Sequence, residues 1–290
     1  MTNVNKREVL LVVAGVFLVA LVAVWIAYNS VSKEEAILVY TPPTILRLVE
    51  EAKSSFGRNV DITWGATGTL LAKLETTRQG DVLITADDYY MWKAVEKGLV
   101  DNTTIRVVSI SIPVLLVRKG LESRIRELGD LGAATYSVSI ANPETAPFGR
   151  LAKKILEQAG LFDKLKDKLI IQPDVQSAAR QVVIGQADVA IVSHTMYYDP
   201  WIRDATTIVW INLSQIPEVP CQLVAVTAFS KHREIALEFI NHLVSTSKRR
   251  EVAISYGVIA SPENARLVTP YDFDTLKLKL KDYCLVGISE

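Results

Sequence analysis

This sequence holds few side chains of the reactive kind. Its 290 residues include two cysteines, Cys221 and Cys284, and three scattered histidines. No cysteine–histidine spacing matches a zinc site. Acidic and basic residues balance at 32 each, so the chain carries no global field, which argues against nucleic acid as a partner. No run of like charge is long enough for an interaction tail, and no repeat or low-complexity tract occurs. In an oxidising compartment the two cysteines either pair or remain buried thiols, and their spacing does not decide between these. What the chain does have is apolar content, 49% against 22% charged, sufficient for one large core or two modest ones.

The sharpest change in composition is at the start. Lys6 and Arg7 precede an apolar run over residues 9–28, about 20 residues, enough to cross a bilayer as a helix. Positive charges in front of such a run stay inside, so the chain after Ser30 is expected on the extracytoplasmic side. A cleaved signal peptide is the rival. Its apolar region is normally shorter and ends in small residues, whereas this one ends Ala23-Val24-Trp25-Ile26-Ala27-Tyr28. Interfacial Trp25 and Tyr28 fit a retained anchor better. No cysteine near Ser30 offers a site for lipid.

Beyond the linker, strand and helix patterns alternate. Predicted strands cover 36–40, 60–64, 81–85, 135–140, 168–172, 189–192, 208–211 and 221–226. Predicted helices cover 45–56, 69–76, 89–97, 121–128, 150–159, 175–184, 231–244 and 247–256, with a polar tail after Ser261. Alternation of this kind implies parallel sheets with covered faces. The chain is expected to cross between two α/β lobes near 110–118 and again near 220–227. The expected divisions are 1–33 for the N-terminal membrane anchor or uncleaved signal segment, 36–112 plus 224–285 for lobe 1, and 113–223 for lobe 2.

Four loops share one design: Pro43-Thr44, Ala66-Thr67-Gly68, Pro147-Phe148-Gly149 and Asp174-Val175. Each follows a predicted strand and opens a helix, and Thr44 is placed as a helix N-cap. Unpaired N–H groups and the positive end of the helix dipole make such starts ready anion sites. Ligands of open α/β sheets bind at the carboxyl ends of the strands. Two loops come from each lobe, and none carries Lys or Arg at its tip. Donors without a counter-ion suit a compact dianion held by hydrogen bonds.

With those residues in view, the stretch 37–256 resembles the molybdate- and tungstate-binding proteins that feed ABC transporters. The resemblance rests on Thr67-Gly68-Thr69-Leu70 followed by Gly80-Asp81-Val82-Leu83-Ile84-Thr85-Ala86-Asp87-Asp88, and on Asn142-Pro143-Glu144-Thr145-Ala146-Pro147-Phe148-Gly149. It rests also on Gly185-Gln186-Ala187-Asp188-Val189-Ala190-Ile191-Val192, and on Phe239-Ile240-Asn241-His242-Leu243 leading to Tyr256-Gly257. It implies a two-lobe, type II periplasmic-binding-protein fold with a ligand cleft, here preceded by an N-terminal transmembrane helix. It further implies oxyanion contacts at Thr44, Thr67, Phe148 and Val175, the last two through backbone N–H groups. Where the family commonly has tyrosine this chain has Ser193, a fifth expected contact that donates directly or through a water, and threonine replaces serine at the first two positions. Asp174, Glu144 and Glu218 are conceivable carboxylates near the ligand. The implied partners are molybdate or tungstate, ABC permease subunits, and the membrane; no cofactor is implied.

Three other readings compete. A ferric-ion-binding protein of the same architecture would use Tyr197 and Tyr198 as phenolate ligands, assisted by His194 or Asp199. An enzyme would use the Asp87-Asp88 pair or Ser193-His194 as an activated nucleophile. Neighbours on a strand point to opposite faces, so Ser193 and His194 are not expected to bond each other, and the aspartates fit better as helix caps. A membrane-anchored sensor would need a partner to signal, because the segment before Lys6 is too short for a domain.

Overall fold

The computed structural model describes residues 14–23, 36–133, 136–245, 252 and 254–289. Residues 14–23 are helical, with exposed apolar side chains such as Phe17 and Leu18. Among the described residues no helix is long and apolar enough to cross a membrane. The remainder of the expected 9–28 span lies outside the described residues, as does most of the expected helix over 247–256.

Ile37–Glu290 is one compact unit built on two five-stranded sheets. The first contains β1 (Ile37–Thr41), β2 (Val60–Trp64), β3 (Val82–Thr85), β4 (Arg106–Ile110) and β10 (Cys221–Val226), in the order β2-β1-β3-β10-β4. The second contains β5 (Pro113–Arg118), β6 (Val138–Ala141), β7 (Leu169–Gln172), β8 (Val189–Ser193) and β9 (Thr206–Trp210), in the order β7-β6-β8-β5-β9. Strands β3, β6, β8 and β10 are buried throughout, and β5 up to Val117; their largely apolar character reflects cover on both faces.

The sheets are mixed, not parallel as alternation alone implied. Strands β1, β2 and β3 run parallel, as do β6, β7 and β8, but β10 is antiparallel to β3 and β4, and β5 to β8 and β9. The reason is the crossings. β5 enters the second sheet directly from β4 through Ser111 and Ile112, and β10 returns to the first from β9. A strand arriving from the far lobe enters from the cleft side, where the parallel strands end, and must run against them. The return crossing occupies residues 211–220, so the boundary expected at 223 falls inside β10.

The helices are α1 (Leu46–Phe56), α2 (Thr67–Thr77), α3 (Asp88–Glu96), α4 (Pro147–Gln158), α5 (Val175–Val183) and α6 (Arg233–Val244). Three more follow the expected end of structure: α7 (Pro262–Val268), α8 (Phe273–Lys277) and α9 (Asp282–Ser289). The supposed polar tail therefore folds. Ser261 and Asp272 cap α7 and α8 by accepting from the N–H groups of Asn264 and Thr275, and Phe273, Leu276 and Ile288 are buried. A disulfide joins Cys221 of β10 to Cys284 of α9. The helix expected over 121–128 does not form. Asp130 draws the backbone N–H groups of Arg126 and Glu127 onto its own carboxylate, an alternative that competes with helix.

His194, just after β8, holds the first crossing in place. Its Nδ1 accepts from the Ile112 N–H at 3.0 Å, and Nε2 lies 2.7 Å from the Gly257 carbonyl oxygen, to which it donates. The ring is fully buried, and burial lowers its pKa from 6.5 to about 4, against the pull of the Gly257 bond. As pH falls below 6.5 the unfolded chain takes up this proton and the folded one does not, so stability drains until about pH 4. The loss should be on the order of 3 kcal/mol. Urea denaturation between neutral pH and about pH 4 should give a shallower loss for His194→Gln than for wild type; equal slopes would refute this assignment.

Candidate functional site

The parallel strands of both sheets end at one cleft. After β1, Pro42 is extended and Pro43–Ile45 forms a single 3-10 turn before α1. Thr44 thus lies inside that turn and is no N-cap. Neither helical start here has a side-chain cap, and the Thr44 hydroxyl accepts instead from Gln222 Nε2 at 2.7 Å. α2 begins at Thr67, two residues before the expected start, and Thr67 Oγ1 accepts from the Ala86 N–H at 3.2 Å. α4 begins at Pro147, three residues early, with proline in the first turn, where a missing N–H costs nothing. Phe148 and Gly149 follow, so their N–H groups belong to the first turn and have no intrahelical acceptor. At α5, Asp174 is the cap. Its two carboxylate oxygens take the Ser177 N–H at 2.9 Å and the Ser177 hydroxyl at 3.2 Å, which leaves the Val175 N–H at the open end.

These starts enclose one small cavity. Its wall is Pro42, Pro43, Thr44, Ala66, Thr67 and Ala86 from the first lobe, and Ala146, Pro147, Phe148, Asp174 and Val175 from the second. The cavity measures about 10 Å³, about the space of a single water and too little for a bulky organic molecule. Lys and Arg are missing from the wall and Asp174 is its one ionisable side chain, so the positive field inside comes from helix starts and hydroxyls. Sequence reasoning passed over the alanines at 66, 86 and 146. A methyl side chain lets backbone N–H groups come close to whatever fills the space, and the only local signal for them is their place beside the turn residues.

Of the five residues marked as contacts, Thr44, Thr67, Phe148 and Val175 stand in this wall and Ser193 does not. Ser193 is fully buried at the end of β8, with Oγ 3.0 Å from Ser111 Oγ and 2.7 Å from Thr195 Oγ1. Glu144 is exposed, and Glu218 faces Lys154 at 3.3 Å and Arg150 at 3.5 Å, outside the cavity. Tyr197 and Tyr198 also lie outside it. The Tyr198 hydroxyl donates to the Val268 carbonyl at 3.3 Å, and burial raises its pKa, which opposes the phenolate that Fe(III) requires. His194 spends both ring nitrogens on backbone, so it has none to activate Ser193. Asp87 caps α3 by accepting from the Tyr90 N–H at 3.1 Å.

The lobes are shut on one another. The Gly68 N–H donates across the cleft to the Thr145 carbonyl at 2.8 Å, and the Tyr90 hydroxyl to the Glu144 carbonyl at 3.0 Å. Arg150 of the second lobe pairs with Asp87 of the first and sits 4.3 Å over the Tyr89 ring, while Arg47 pairs with Asp199. Burial pushes the Asp87 carboxyl up to about 6 against the opposing Arg150 charge, so at neutral pH the pair stays ionised.

A family model described as bacterial extracellular solute-binding protein matches residues 37–277. The chain belongs to that family. The molybdate-binding protein ModA of Escherichia coli is 25% identical over 178 residues, which is 58% of this chain and 68% of that protein. A relative from Haemophilus influenzae is 23% identical over 150 residues, 51% of this chain and 60% of its own length; the alignments thus span about three-fifths to two-thirds of these relatives. The fold is that of the periplasmic molybdate-binding protein of Azotobacter vinelandii, with a TM-score of 0.69 at 21% identity over 77% of this chain and 98% of that one. Iron-bound HitA of Pseudomonas aeruginosa shares the fold less closely, with a TM-score of 0.58 at 17% identity over 75% and 83% of the two chains. The family is one of extracellular proteins that bind solutes.

Gly68 is where closure is most exposed to a single change. A Cβ there would come within 2.6 Å of the Thr145 carbonyl oxygen and 2.8 Å of the Tyr90 hydroxyl, both across or beside the lobe contact. Gly68→Ala should therefore disfavour the closed form by about 1–3 kcal/mol, the cost of a lost bond plus overpacking, or roughly five- to 150-fold in population. Distances between spin labels on the two lobes report this directly. An undiminished short-distance peak in the variant would count against it.

Proposed function

We propose that this chain captures a tetrahedral oxyanion, molybdate or tungstate, between its lobes and presents it to the permease of an ABC transporter. One observation carries the proposal: a small cavity walled by helix starts from both lobes and free of Lys and Arg. Such a wall offers N–H and O–H donors to an acceptor-only ligand, and its one carboxylate, Asp174, is engaged by Ser177. The ModA relatives, named for molybdate, support the same ligand class. The contacts would be the hydroxyls of Thr44 and Thr67 and the N–H groups of Phe148 and Val175. The anion binds one lobe in the open cleft, the second lobe brings its helix starts, and closure excludes water. The population shifts toward closed by the ligand's differential affinity for the two forms.

Ligands that bind only the folded state raise its apparent stability. In a thermal-shift panel of molybdate, tungstate, sulfate, phosphate and Fe(III), the first two should raise the midpoint most. A shift with Fe(III) alone would transfer the assignment to the iron reading. Thr67→Val should weaken molybdate binding by about 1.5–3 kcal/mol, the value of a hydrogen bond to a charged group, and an unchanged titration would remove Thr67 from the site.

The apolar run over 9–28 would hold the domain at the outer face of the membrane, beside its permease. Expressed in full, the protein should sediment with membranes and resist high salt, and deletion of residues 1–33 should release it. Full-length protein in the soluble fraction would contradict a retained anchor.

A further inference from the structure

Thr44 and Thr67 differ in what orients their hydroxyls. A hydroxyl has one hydrogen to give, and a donor already seated on its oxygen turns that hydrogen away. At Thr67 the seated donor is the Ala86 backbone N–H, so the main chain itself sets the direction. At Thr44 it is a side chain, Gln222 Nε2, whose own amide must be held in one of two orientations.

Gln222 stands in an unusual place for such a group. It lies on β10, buried along its whole length, and is the one strongly polar side chain in Cys-Gln-Leu-Val-Ala-Val. An amide in that setting costs free energy unless it is bonded at both ends. Both ends are bonded. The Ser109 hydroxyl of β4, directly opposite in register, donates to Gln222 Oε1, and Nε2 donates to Thr44. The pairing of β10 with β4 shifts at Gln222/Leu223, an irregularity of the sort that re-aims a side chain. The relay therefore reads Ser109 to Gln222 to Thr44, with both donated hydrogens running toward the cavity.

We infer that Gln222 is a positioning residue for the ligand: it occupies the acceptor side of Thr44 and so commits that hydroxyl to donate into the cleft. The inference rests on the oxyanion reading above. An amide turned the other way would accept the Thr44 hydrogen and leave only lone pairs facing the anion, which repels it.

The test is calorimetric titration of the full chain with molybdate, together with urea denaturation. Gln222→Met keeps the length and removes the relay; it should weaken binding roughly tenfold, and Gln222→Glu, which can only accept at neutral pH, by roughly 100-fold or more. In a Thr44→Val background Gln222→Met should change affinity by less than about twofold, because the effect runs through that hydroxyl. A purely structural role would lower the unfolding midpoint yet leave the affinity of Gln222→Met unchanged, or give losses that add across the pair; either result overturns the inference. If Gln222→Met does not fold, Ser109→Ala reads the same relay from its far end, with a loss of roughly two- to fivefold expected and again none in Thr44→Val. A wild type silent to molybdate and tungstate overturns the oxyanion reading and this inference with it. A binding wild type with an indifferent Gln222→Met overturns the inference alone.

Discussion

A helix start carries N–H groups that its own backbone leaves without acceptors, and water ordinarily supplies them. In this protein the starts at Thr67, Pro147 and Val175, with the 3-10 turn at Pro43, meet around one cavity shared by two sheets. Buried donors without acceptors are costly, so the closed arrangement is best satisfied by an acceptor from outside the chain. The surrounding structure serves that meeting. Parallel strands bring their carboxyl ends to the cleft, and proline occupies the helical position that can spare its N–H. Asp174 consumes the deeper donors of its helix and leaves the outermost one open.

Closure depends on contacts that lie beside the cavity. The Gly68–Thr145 and Tyr90–Glu144 bonds tie backbone of one lobe to the other, and the Arg150–Asp87 and Arg47–Asp199 pairs flank them. Close approach within the second lobe needs glycine as well. A Cβ on Gly149 would meet the Ala141 and Asn142 carbonyl oxygens at 2.3 and 2.6 Å, so this residue lets the start of α4 sit against the end of β6. The cationic side chains of the cleft are thus used between lobes, and the cavity is left to helix starts, hydroxyls and the Ser177-bonded Asp174.

Much of this was legible locally. The apolar strands and the four helix-opening loops announce themselves by composition over five to ten residues, while the individual contacts at Thr44, Thr67, Phe148 and Val175 are what the family resemblance implies. The caps at Ser261 and Asp272 had signals too, but the sparse apolar spacing behind them made the C-terminal helices look like a tail. Other features had no local signal. Gln222 acts on Thr44 from 178 residues away, and Asp87 meets Arg150 across 63. The opposite direction of β5 and β10 follows from where the chain crosses, which alternation of strand and helix does not encode.

Residue by residue, then, the sequence determined that helices begin at proline-, threonine- or aspartate-bearing turns after strands, because caps, periodicity and helix dipoles act over a few neighbours. Which donors face one another was decided only in the folded molecule. Ser193 shows the difference: it ends a strand at the cleft, yet its hydroxyl turns to Ser111 and Thr195. The direction of such a hydroxyl depends on the partners that sheet register and lobe closure bring within 3 Å of it.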